Sequence, residues 1–507
     1  MIDLIPLKDE KGYSLLSVIL VFAIISILGL SLLTLTINSM KFVSVNKSSI
    51  QDKASAEMGI EEAMAQIDSE VEKINKDIEN RVLLVDNVLG RLSSSLGSIK
   101  SLGPYKYTIS HETLKSGQNG VFLEKVIIKA PIGDTNRSIT KTVTVSTIAE
   151  VFKYGAVSPG YLLFNGASYI EGDVLVKENL LNSDQGKFIQ GWTYYPPTSY
   201  PAIKGNLTVG ENYYYKQGNS FRQFSPTPYN MNLFFSVPPQ IKDRSLDVNA
   251  LPVNSYVINK SGIISAPASN TYNGDLTIDR NTSINGNLVV RGNLTVRKGA
   301  KLSVSGSVYV GRGALLSGTL SVPNQNKYIF ISGNAVINEL NLDGEMYIGG
   351  SVDITNDLNT NGTLFVMGDA TVEELSNNSG GTLILLCNGT IQLSNNNLYN
   401  DNPKIINAYL YSNRMLEIYG IGSHMNIQGG IYGNPIILNA SKGKTRQSNF
   451  SGADRTGNLY FEGNQDQIDP TKSRLAIYYK KEMILNPPKG IPTVEKMQVK
   501  EIDVVYE

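Results

Sequence analysis

The chain has 507 residues, too many for one ordinary domain of roughly 100 to 200 residues, and its 45 basic side chains are balanced by 45 acidic ones. That balance, with no long run of like charge, gives no sign of a nucleic-acid partner. One cysteine, Cys387, and two distant histidines, His111 and His424, exclude an intrachain disulfide and the usual His/Cys zinc sets, so neither metal nor cofactor is expected.

The first twelve residues form a short charged leader ending in "KDEKG". Residues 15–37 then run without a charge, and as a helix at about 1.5 Å per residue they cross the roughly 30 Å hydrocarbon layer of a bilayer. A cleaved secretory signal carries its cleavage site after the apolar run; here the one processing-like junction, Lys11-Gly12-Tyr13, precedes it, so residues 13–37 are expected to remain as a transmembrane helix. Lys8 and Lys11 before the span and Lys41 and Lys47 after it leave its orientation undecided by charge.

Beyond the span, Ile60, Met64, Ile67, Val71, Ile74, Ile78, Val82, Val85, Leu89 and Leu92 recur every three or four residues, which predicts one long amphipathic helix. Its stripe suits packing on a sheet of its own domain or a seam between subunits. From Tyr105 to Phe152 the period falls to two in "YKYTIS", "VFLEKVIIKA" and "ITKTVTVSTIAEVF", predicting three antiparallel strands that cover the helix. Residues 38–155 are thus expected to form an α+β unit.

A five-residue pattern, glycine, any residue, apolar, any residue, apolar, then repeats from "GDVLV" at Gly172 to "GTIQL" at Gly389, often in steps of 6 or 12. Each copy is a short strand with two side chains on one face, and stacked coils would bury those faces. Residues 156–442 are therefore expected to form an all-β, right-handed parallel β-helix, with a β-sandwich as the alternative. An insertion at 182–260 is dense in aromatics and prolines. Trp192, Tyr194, Tyr195, Tyr213, Tyr214 and Tyr215 are its candidate contact surface for a sugar or another protein; packing against the solenoid flank is the competing reading. Residues 443–507 read as a polar loop and C-terminal tail.

The leader, the aromatic after its glycine, the uncharged span and the amphipathic helix together resemble the type IV pilins. The stretch "KASAEMGIEEAMAQI" and the strand "SITKTVTVSTIAEVF" resemble the PilX-type minor pilins, and the glycine repeats are more loosely similar to bactofilins and to β-helical domains attached to some pilins. The resemblance covers residues 1–155. It implies a prepilin peptidase that cuts between Gly12 and Tyr13, N-methylation of Tyr13, and a filament-assembly position at Ser17, where the family usually has glutamate.

The expectation is a non-enzymatic minor subunit, at the tip or initiating complex of a type IV pilus or related filament, that displays its β-helix outside for assembly or surface adhesion. It would be a single-pass membrane protein before assembly and extracellular afterwards. Its partners would be the peptidase, other pilin subunits through the N-terminal helix, the membrane and a glycan or host-surface ligand. The alternative is a β-helical surface protein that binds or degrades polysaccharide. A lyase or hydrolase would need converging carboxylates, whereas Asp275, Glu345, Asp353 and Asp369 are scattered along the repeats.

Overall fold

The computed structural model describes residues 13–80, 87–116, 121–242, 248–356, 358–377, 381–395 and 397–506. The chain divides into two compact units: the first takes the described residues of Met1–Gly117, Phe122–Ser146 and Lys496–Glu507, and the second those of Gln118–Val121 and Thr147–Glu495.

In the first unit, helix α1 spans Tyr13–Glu79, 67 residues and about 100 Å at 1.5 Å per residue. Its apolar side chains are exposed through Ile50; from Ala56 onward Ile60, Ala63, Ile67, Val71 and Ile74 are buried. The stripe does not run on in one helix to Leu92. α1 stops at Glu79, and a second helix, α2, spans Val88–Ser98 and packs Val88, Leu92 and Leu96 into the same core. Val82 and Val85 lie outside the described residues. The periodicity persists because both helices face one core: Ala56 to Ile74 already covers about 27 Å, close to the length of a nine- to eleven-residue strand, so a straight continuation would outrun the sheet.

That sheet has antiparallel strands β1 (Thr108–Ser116), β2 (Phe122–Pro131) and β3 (Ser138–Ile148). Alternation gives Phe122, Val126, Ile128 and Ala130 of β2, and Ile139, Val143 and Val145 of β3, to the helices. A fourth strand, Thr493–Tyr506, lies beside β3. Residues 443–507 are therefore more than a loop and tail: part of them completes this sheet, with Met497 in the core. The sequence separation hid this, since nothing local tells a closing strand from a tail.

The second unit is a parallel β-solenoid of about thirteen turns, each with up to three short strands. Leu288, Val290, Val308, Val310, Ile329 and Ile331 exemplify the dry interior. The repeat's second position is structural. Asp275 Oδ1 accepts the amide of Asn293 at 2.7 Å, Asn293 Oδ1 that of Gly313 at 3.0 Å, and Asp369 Oδ1 that of Thr390 at 2.8 Å, so each coil caps the next. Glycine precedes it because coils approach closely: a Cβ on Gly362 would lie 1.8 Å from the Gly344 carbonyl oxygen.

Chain order and stacking order differ. Ala156–Ser158 and Leu162–Gly166 enter mid-stack, pairing on one side with Gly430–Tyr432 and Ile436–Ala440 and on the other with Val174–Val176 and Leu180–Ser183. The stretch 182–260 is only in part an excursion. Ala202–Lys204, Asn206–Val209 and Tyr213–Gln217 are solenoid strands, and the hairpin partner Ser220–Phe224 with helix Pro228–Phe234, N-capped by Thr227, follows at that end of the stack. The chain then crosses the flank, where Tyr256 sets its ring 5.4 Å from Phe365 and Leu251 donates its amide to Tyr411 Oη at 2.6 Å, before starting the far end at Thr271.

Candidate interaction surfaces

Two regions stand apart from the regular packing of sheet and coils. The first is the apolar part of α1, the one helix among the described residues long and apolar enough to cross a membrane. Its hydroxyls are satisfied within the helix: Ser31, Thr34 and Thr36 each donate to the carbonyl four residues back at 2.8 Å. Ser17 lies one turn into α1 and is exposed; Tyr13 is the first helical residue, while Gly12 and the leader lie outside the described residues. Apolar exposure outlasts the span. Met40, Phe42, Val43 and Val45 are uncovered, so about 15 Å of helix beyond the 23-residue span, residues 38–47, carries exposed apolar side chains before Lys53 reaches the Tyr506 ring and Ala56 is buried.

The second surface is one corner of the solenoid, where the loops 184–201, 397–403, 421–424 and 441–474 of nearby coils gather. Phe188, Ile421, Leu459 and Phe461 form a small core there, with Tyr194 and Leu398 against it. Arg474 pins the loops. It is fully buried, and its guanidinium donates to three backbone carbonyls from three loops: Ser423 at 3.1 Å, Gly443 at 3.2 Å and Leu398 at 2.6 Å. Burial pushes its pKa down to about 10. Lys442, also buried, donates to the Ile468 carbonyl at 2.9 Å, and burial lowers it too. His424 Nδ1 meets the Asn400 carbonyl at 3.1 Å; burial, then the positive charge of Arg474, brings its pKa down to about 4. Arg446 grips Asp401 with two hydrogen bonds, which hold that carboxyl below its usual range. No sequence motif marks this cluster. Its one usable signal was "LAIYY", a short apolar run of strand character directly after Arg474.

The six aromatic candidates separate by role. Tyr213, 6% exposed, packs on Phe224 with ring centres 5.7 Å apart, and Tyr215 stacks on Phe234 at 4.3 Å. Both take part in the apolar cover of the last coils, Tyr213 buried and Tyr215 half-buried. Tyr214, the intervening residue of that strand, is half-buried, and Tyr194 rests against Phe188 at 6.2 Å. Trp192, 78% exposed, and Tyr195, 53% exposed with Lys216 Nζ 4.7 Å from its ring centre, remain outward. Trp192 sits on the hairpin Phe188–Gln190 and Trp192–Tyr194, whose turn places Gly191 at φ +70°.

Each of the four acidic repeat residues has its own local setting. Asp275 and Asp369 hold the amide ladder, Glu345 accepts from Tyr347 at 2.9 Å, and Asp353 is exposed. In the first unit, fully buried Glu124 takes His111 Nδ1 and Thr113 Oγ1, each at 2.6 Å.

No protein-family model matches the chain, and no curated protein matches it. Among solved structures, the competence-associated pilin ComZ from Thermus thermophilus is similar over 91% of this chain and 97% of its own, at 12% identity and a TM-score of 0.26.

Proposed function

We propose that this chain is a membrane-inserted minor subunit of a type IV pilus or related filament, with its solenoid displayed outside the cell for assembly or adhesion and no enzymatic role. The observation that carries the reading is the helix. A membrane-length apolar segment continues into a further stretch of exposed apolar helix, and only then into a small α+β unit. A bilayer covers the first stretch alone. The second needs other helices, and neighbouring pilin subunits supply them.

In this reading a prepilin peptidase cuts between Gly12 and Tyr13, the new N-terminus is methylated, and Ser17 marks the subunit at the tip. The exposed Trp192 and Tyr195 serve contact with a glycan or another surface ligand. N-terminal sequencing and gold labelling of the solenoid test it together. A mature chain starting at Tyr13, with label on filaments, is the expected result; a chain still carrying its leader, or label confined to the membrane of cells that make filaments, would falsify it.

A further inference from the structure

The fourth strand of the small sheet is bound as a ligand would be bound. We infer that the outer edge of β3 together with Asn75 of α1 forms a strand-binding site, and that its occupant is the segment Lys496–Tyr506 of the same chain. The site is specific for main chain and side chain at once. Asn75 Nδ2 donates to the Met497 carbonyl at 2.9 Å, and the Met497 amide donates to Asn75 Oδ1 at 2.8 Å, so a side chain of α1 reads the strand as a backbone partner would. Met497, 2% exposed, fills the core between the helices and the sheet.

Three charged contacts fix the register. Lys496 Nζ meets Glu79 at 2.5 Å near the start; Glu501 meets Lys141 at 3.1 Å in the middle, where Lys141 also has Glu61 at 3.5 Å; and Lys53 Nζ lies 5.0 Å from the ring centre of Tyr506 at the end. Each of these partners belongs to the first unit, so these contacts need nothing from the solenoid.

The order of synthesis makes this a site that waits. The helices and β1–β3 are made before the solenoid, whose segment Thr147–Glu495 must emerge before the strand does; at roughly 5–20 residues per second that takes tens of seconds. Until then the β3 edge has no partner strand and the Met497 pocket has no side chain. An open edge beside an apolar slot is a pairing hazard. The matched strand closes both, so the helix-bearing unit is complete only in chains whose solenoid has been made to its end. This holds whatever the helix assembles with.

The test is complementation in trans. The anchored chain ended at Pro492 is purified in detergent and mixed with a synthetic peptide of residues 493–506, and hydrogen exchange is followed in β2, β3 and the solenoid. Truncation should expose the β3 amides while the strand Leu294–Val296 keeps its protection, and the peptide should restore β3. A peptide with Met497→Asp should bind at least tenfold more weakly. In the full-length chain, Met497→Asp should reproduce the exposure of β3. Unchanged β3 protection after truncation overturns the proposal, as does a peptide that neither binds nor restores it. Loss of solenoid protection along with the small sheet also overturns it, since the strand would then belong to one indivisible fold.

Discussion

Asn75 and Met497, 422 residues apart in sequence, exchange two hydrogen bonds, carboxamide to backbone carbonyl and backbone amide to carboxamide. The pair settles which way the Asn75 amide points, because only one orientation donates to a carbonyl and accepts from an N–H. It also ties the C-terminal end of α1 to a strand that the sequence places beyond the whole solenoid.

Replacing Asn75 by alanine should therefore loosen the first unit alone. The substitution leaves one backbone donor and one acceptor half-buried without partners, a cost of about 1–3 kcal/mol. Hydrogen exchange at β3 and at residues 496–506 should quicken while the solenoid amides stay as they are. Equal exchange at β3 in the two proteins would show that the bonds contribute nothing.

Val308 is fully buried among the interior side chains of the solenoid. Aspartate there puts a carboxylate in an apolar column with no cation to pair it, and destabilisation of about 3–5 kcal/mol is expected. Thermal unfolding checks this. A Val308→Asp protein that melts like its parent would mean that the column is hydrated.

How much of this was legible beforehand depends on whether the signal was local. The strand Val308–Val310 was, since "GSVYV" carries glycine and alternation within five residues; so was the apolar length of α1. The mid-stack entry of Ala156–Ser158 was not, because two neighbouring coils contact each other through residues 156 and 431, and no period in the sequence links them. The end of α1 at Glu79 was hidden for another reason: a hydrophobic stripe records which face is buried, and both helices bury theirs in one core. Of the corner cluster only the short apolar run "LAIYY" was visible, since the hydrogen bonds of the buried Arg474 go to loop carbonyls, which no motif records.

Arg474→Met should release the corner loops. Methionine fits the space but leaves three buried carbonyls without donors, at a cost on the order of 3 kcal/mol. Arg474→Lys should rescue only in part, since an ammonium on a flexible stem cannot reproduce a planar fork aimed at three loops. Limited proteolysis within 397–403 and 441–473 measures both. Cleavage no faster than in the parent would show that the small apolar core suffices to hold the loops.

The same corner should respond to acid. The pKa of His424 falls from 6.5 to about 4 on folding, so the unfolded chain binds the proton more readily than the folded one. The stability that neutral His424 confers is therefore complete above pH 6.5 and is lost as pH falls toward 4, with no further loss from this group below that. Exchange of the corner-loop amides should accelerate across this window in the parent and less so in His424→Gln. Parallel profiles for the two proteins would remove His424 as the cause.

Ser17→Glu tests where the subunit sits in the proposed filament. A carboxylate in hydrocarbon costs at least about 2.5 kcal/mol on insertion scales unless a cation neutralises it. In the resembling family the glutamate at this position meets the N-terminal amine of the subunit ahead, and a subunit with none ahead has nothing to offset that cost. Serine avoids the penalty, and its hydroxyl can bond within the helix as Ser31, Thr34 and Thr36 do. The amine of Tyr13 would still be free to receive the glutamate of the next subunit. Gold label on the solenoid should thus mark filament ends in the parent, and in Ser17→Glu it should move into the shafts or filament number should fall. Label along the shafts of the parent itself, or identical patterns and filament counts for both proteins, would show that serine is merely tolerated at this position.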